Sequence, residues 1–114
     1  MSIKTERIGS NLVKEISYIL ATEIKDEDIK FVTITDCKVT NDLSFAKVYY
    51  TVFDVSRKKE TAEALKHASG YIRHLLHDRV DIRHIPELTF IFDESIEYGK
   101  KIENIIEEIH EENE

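Results

Sequence analysis

The sequence predicts an α+β domain, a two-layer sandwich in which a three-stranded sheet buries one face against helices. Three observations predict it. Apolar residues recur at three- and four-residue steps in three segments, and apolar and polar residues alternate in three others. The segments follow one another as helix, strand, strand, interrupted helix, strand, helix. A chain of 114 residues supplies one domain with a single modest core. The domain is placed at residues 1–109, with an acidic, frayed tail at 110–114.

The first helix carries Ile8, Leu12, Ile16, Ile19 and Leu20 on one stripe and reaches to about Ile24, with Thr5 as its candidate N-cap. Gly9 weakens its first turn. The polar run KDED, Lys25 to Asp28, reads as a loop. IKFVTITDCKVT is rich in β-branched residues, and its alternation slips at Thr35 and Asp36, which predicts a bulge. After the turn Thr40–Asp42, LSFAKVYYTVF alternates cleanly. Ala46, Val48, Tyr50 and Val52 make one face; Phe45, Lys47, Tyr49, Thr51 and Phe53 make the other. So short a connection makes the pair an antiparallel hairpin. The face with Lys47 and Thr51 is the one expected to meet water, although its aromatic rings need cover.

Ser56 is the candidate cap of the next helix, whose stripe is Leu65, Ala68, Ile72, Leu75 and Leu76. Ser69 and Gly70 interrupt it. VDIRHIP leads irregularly to the single proline, and ELTFIFD forms the third strand, with Leu88, Phe90 and Phe92 on one side. A final helix capped by Ser95 carries Ile102, Ile105, Ile106 and Ile109. The one cysteine, Cys37, excludes an internal disulfide and reads as a small strand hydrophobe. No apolar run approaches the roughly 20 residues that cross a bilayer, and MSIKTERIGSN lacks the apolar centre of a secretory leader. A cytoplasmic protein is expected.

The net charge of −7 argues at first against nucleic acid. Its distribution changes that reading. Glu103, Glu107, Glu108, Glu111, Glu112 and Glu114 lie in the last twelve residues; without those six acids, 16 basic residues face 17 acidic ones. The window from Ser56 to Ile85 holds seven Lys and Arg against four acids, and four histidines besides. Such a segment can face phosphate while the whole chain stays acidic, or it can be a solvated helix face.

The order αββααβ resembles that of the type II KH domain, an RNA-binding fold. RNA-binding KH domains carry a GXXG loop between two helices that clamps the nucleic-acid backbone. No GXXG occurs here; Ala68-Ser69-Gly70 stands in its place. An Ala-x-Gly kink at that point resembles the ribosome-binding factor A family. VTITDCKVTNDLSFAKVYYTV is similar to that family's first two strands, ALKHASGYIRHLL to its helix-kink-helix, and RHIPELTFIFDESIEYGKKI to its third strand and final helix. ERIGSNLVKEIS is a weaker match. The resemblance covers nearly the whole chain. It implies a non-enzymatic assembly factor that binds the free small (30S) ribosomal subunit, assists late folding and processing of 16S ribosomal RNA near its 5′ end, and serves growth in the cold. A monomer without cofactor or membrane association is expected.

Beside the resemblance, the residues suggest their own site. Gly70 is read either as a packing glycine beneath a crossing strand or as a kink formed by Ala68, Ser69 and Gly70. A kink would present backbone N–H groups to an anion. Lys66, Arg73, Arg79 and Arg83 lie off the apolar stripe, and Lys66 and Arg73 share a face. Arginine forks match phosphate oxygens in pairs. Reversing Arg73 and Arg79 to Glu is expected to abolish RNA binding and leave the fold intact, with Arg7 and Lys47 as the alternative site.

His67, His74 and His77 lack the third and fourth ligands of a zinc site and read as polar-surface histidines. No serine has a nucleophile-elbow context, and no Gly-rich phosphate loop exists. Asp93 and Glu94 read as partners of the following helix dipole rather than as a catalytic pair. Phe45, Tyr49, Phe53, Phe90 and Phe92 are read as core, though sheet aromatics can also stack bases. The rival functional reading is a protein-interaction adaptor acting through the acidic C-terminal helix.

Overall fold

The computed structural model describes residues 3–95 of the chain, so the expected final helix and acidic tail lie outside the described residues. The architecture is the expected α+β sandwich. Helix α1 spans Ile3–Thr22, strands β1 and β2 span Val32–Val39 and Phe45–Val52, and a 3-10 turn at Val55–Arg57 passes into α2, Lys58–Leu76; β3 spans Glu87–Phe92. The sheet order is β1-β2-β3, antiparallel between β1 and β2 and parallel between β2 and β3. The parallel pairing follows from α2, which carries the chain back across the sheet. Helix α1 lies on β1 and α2 on β3, both on the same side.

The core is what the two periodicities require. Leu12, Ile16 and Ile19 of α1 and Leu65, Ile72 and Leu76 of α2 are fully buried on Ala46, Val48 and Tyr50 of the central strand. Each such aliphatic side chain contributes about 1.5–3 kcal/mol by leaving water. Phe90 and Phe92 lie edge-on to the buried Tyr50 ring, at centroid distances of 6.5 and 5.8 Å. The loop from α2 to β3 is pinned by Val80, Ile85 and Pro86.

The bulge falls where the alternation slips: Ile34 pairs with Tyr50 and Asp36 with Tyr49, leaving Thr35 as the extra residue. The Thr35 hydroxyl donates to the Asp93 carboxylate at 2.6 Å, joining the bulge to the end of β3. The hairpin closes through Asp42, which accepts from the Thr40 hydroxyl at 2.7 Å and the Ser44 amide at 3.0 Å. Leu43 takes a left-handed φ of 62° in that turn.

Several local expectations are corrected. Thr5 is not an N-cap but a buried residue inside α1. Ser56 is not the capping acceptor of α2 either, and the helix that Ser95 would cap lies outside the described residues. The amides of the two serines donate to Asp54 and Asp93, each two residues earlier, because a carboxylate so placed closes an Asx turn. Gly9 earns its place at a crossing: a Cβ there would stand 2.5 Å from the Cys37 carbonyl oxygen. A side chain would push α1 off β1, which outweighs the loss of helix propensity. Phe45 and Phe53 are not core residues. They stand 54% and 85% exposed on the sheet face that carries Lys47, while Phe90 and Phe92 do pack on the core.

Candidate nucleic-acid interface

The helical stretch between β2 and β3 changes character once, where the 3-10 turn gives way to α2, and not at Ala68-Ser69-Gly70. Helix α2 runs unbroken from Lys58 to Leu76, and Gly70 keeps a negative φ. The freed amides expected of a kink are therefore corrected: those N–H groups lie inside a helical run. Ser69 donates its hydroxyl to the Lys66 carbonyl at 2.8 Å, a bond made within the helix. Ala68 is half-buried against the core. The packing reading of Gly70 finds no support among the described residues, since a Cβ there meets no described atom within 4 Å.

At about 100° per residue, Gly70 lies some 160° round the helix from the buried Ile72. It is the centre of the outward face. Around it stand the exposed Lys59, Lys66, His67, His74 and His77, with Glu63 as the nearby acid. A mid-helix glycine in water sacrifices roughly 1 kcal/mol relative to alanine and leaves the helix backbone bare at that point. This face has the positive groups and the close approach that a phosphate backbone needs.

The six cations singled out in the sequence do not form one cluster. Arg73 is half-buried, and its Nε and Nη2 donate to the Ile85 carbonyl at 3.1 and 2.8 Å. Arg79 donates to Glu23 at 2.9 Å and lies over the Tyr18 ring, joining the end of α2 to the end of α1. Both arginines are structural ties. Lys66 remains exposed on the outward face of α2, Arg83 is exposed in the loop before β3, and Arg7 is exposed on α1. Lys47 stands on the uncovered face of the sheet, opposite Lys38.

That uncovered face is the feature sequence reasoning undervalued. Phe31 and Phe53 meet there at 5.9 Å, and the Lys38 amine lies 5.7 Å from the centre of the Tyr49 ring. Its signal was present in the strict alternation Phe45, Lys47, Tyr49, Thr51, Phe53. Cys37 lies on the covered side, where burial, and then the Asp36 charge, push its thiol up to about 12. It stays protonated at neutral pH, as a buried hydrophobe does. Among the described residues, no three His, Cys, Asp or Glu side chains are grouped to hold a metal ion, and no helix is long and apolar enough to cross a membrane.

Comparison with known proteins places this geometry in a group. A family model described as ribosome-binding factor A matches residues 4–106. The ribosome-binding factor A of Staphylococcus epidermidis is 48% identical over 110 residues, which cover 96% of this chain and 95% of that protein. The crystal structure of ribosome-binding factor A from Thermus thermophilus superposes with a TM-score of 0.67 at 24% identity, covering 76% of this chain and 93% of the other. A homology model of the Thermus thermophilus protein, fitted into a cryo-EM map of its complex with the 30S subunit, superposes with a TM-score of 0.65 at 21% identity, covering 75% and 91%.

Proposed function

This chain belongs to the ribosome-binding factor A family, and from that premise we propose that it is a non-enzymatic assembly factor that binds the free small ribosomal subunit in the cytoplasm. It recognises folded 16S ribosomal RNA by shape and phosphate and assists its late folding and processing, including during growth in the cold. The fitted complex of the Thermus protein with the 30S subunit supports the choice of partner.

The observation that carries the RNA reading is the outward face of α2. Lys59 and Lys66 are exposed there without an ion-pair partner among the described residues, on the turns of the helix that precede Gly70, where an added Cβ would meet no described atom. Lysines on a rigid helix supply point charges for phosphate, and the missing Cβ lets a backbone approach. Arg83 extends the positive surface beyond the helix end. Arg73 and Arg79 act on binding through the helix they hold in place.

Ultraviolet crosslinking of the full chain to purified small subunits tests the reading. Crosslinks from α2 to 16S ribosomal RNA are expected. Crosslinks confined to ribosomal proteins would replace the RNA reading with a protein-adaptor role.

A further inference from the structure

The described helices cover one face of the sheet and leave the other open. Along the central strand this open face carries Phe45, Lys47, Tyr49 and Thr51, and at one end it continues into Phe53 and its neighbour Phe31. Phe53 is 85% exposed, Phe31 63% and Phe45 54%. Leaving one such ring in water is common; leaving three on one face marks an interaction surface.

The charges on this face narrow the partner. Lys38 and Lys47 stand directly opposite each other on adjacent strands, and neither has an ion-pair partner among the described residues. Like charges so placed destabilise a sheet, and a bound anion relieves the repulsion. The lysine pair lies between the rings of Phe45 and Tyr49, with Phe53 further along β2. Rings that can take base faces on either side of cations that can take a phosphate are the chemistry of single-stranded nucleic acid binding.

We propose that this face binds an unpaired segment of RNA, with bases stacked on Phe45, Tyr49 and Phe53 and a phosphate held between Lys38 and Lys47. The proposal rests on the RNA-binding reading above and adds a second surface, on the side of the sheet away from α2. Asp36 and Glu87 share the face, so its net charge is near zero. Stacking then supplies most of its affinity. Neutralising one phosphate of a single strand gives a salt slope of only about −0.7.

The test uses the full chain, a short fluorescein-labelled oligouridylate and purified small subunits. Phe45→Ala/Phe53→Ala removes two exposed rings, so circular dichroism and the urea midpoint should stay near those of the unaltered protein. Each lost stack is expected to weaken oligouridylate binding between about 5-fold and about 150-fold. Lys38→Gln/Lys47→Gln is expected to flatten the shallow salt dependence. A photoreactive diazirine side chain at position 53 is expected to crosslink to ribosomal RNA on the subunit. Unchanged oligouridylate affinity in the ring variant, no binding by the unaltered protein, or a crosslink only to a ribosomal protein or to residues 96–114 of the same chain would overturn the proposal. If Lys59→Gln/Lys66→Gln loses subunit binding while the ring variant keeps it, the sheet proposal alone fails. If neither changes binding, the RNA reading of α2 fails with it.

Discussion

The guanidinium of Arg73 rests on the carbonyl of Ile85, with Nε and Nη2 both donating to that one oxygen. The contact ties the last turns of α2 to the buried Ile85-Pro86 corner from which β3 starts. Hydrogen bonds with a charged donor contribute about 1.5–3 kcal/mol. Arg73→Ala is expected to lower the unfolding free energy by an amount in that range, read from urea denaturation. Arg79→Ala is expected to lose less than about 1 kcal/mol, because its pair with Glu23 is partly exposed. Reversing both to Glu would therefore weaken the fold, contrary to the expectation from sequence. An unchanged urea midpoint for Arg73→Ala would mean the contact adds nothing.

The two described glycines are expected to respond in opposite ways to the same substitution. Gly9→Ala places a Cβ 2.5 Å from a backbone oxygen that cannot step aside, and overpacking of this kind destabilises by about 1–3 kcal/mol or more. Gly70→Ala meets open space inside a helix and is expected to stabilise by roughly 1 kcal/mol. Urea denaturation of the two variants decides both. A destabilised Gly70→Ala would show that the helix needs glycine's conformational freedom after all.

Acid should weaken three turns closed by exposed carboxylates, each a modest contribution because water screens it. Asp42, Asp54 and Asp93 are each held below the ordinary carboxylate range, chiefly by the hydroxyls of Thr40, Ser56 and Ser95 respectively, with Thr35 adding to the effect on Asp93. A folded pKa below the unfolded one means that the unfolded chain binds more protons in acid. The stabilisation is thus complete above the unfolded value of about 3.9 and is lost as pH falls through the folded values. The urea midpoint is expected to hold from neutral pH to about pH 5 and to drop below about pH 4. Asp42→Asn/Asp54→Asn/Asp93→Asn should show a shallower drop, since asparagine keeps an acceptor without titrating. An equal drop would assign the acid sensitivity to other groups.

Much of this fold was legible because periodicity reports burial. The stripe of α1, the slip at Thr35 and the two faces of β2 each follow from which side chains must leave water. The capping residues were misplaced because Ser and Asp compete for the same role two positions apart, and only geometry tells donor from acceptor. The structural ties of the arginines are hidden in the sequence for a related reason. A cation off the apolar stripe looks free in sequence, yet Arg73 reaches a carbonyl twelve residues away and Arg79 a carboxylate fifty-six residues away. Gly70 stands out in the sequence as an anomaly, but the helix is not interrupted there and no described atom packs on it. Phe45 and Phe53 were assigned to the core because apolar size usually means burial, and alternation alone does not say which face an outside partner covers.

The measurement closest to the central claim is the salt dependence of binding to purified small subunits, for the unaltered chain and for Lys59→Gln/Lys66→Gln. If the outward face of α2 meets phosphate, log affinity falls linearly with log salt in the unaltered protein. The slope then becomes shallower by roughly 0.7–0.9 for each phosphate contact the variant loses. Equal slopes and equal affinities in the two proteins would contradict an RNA contact on that face.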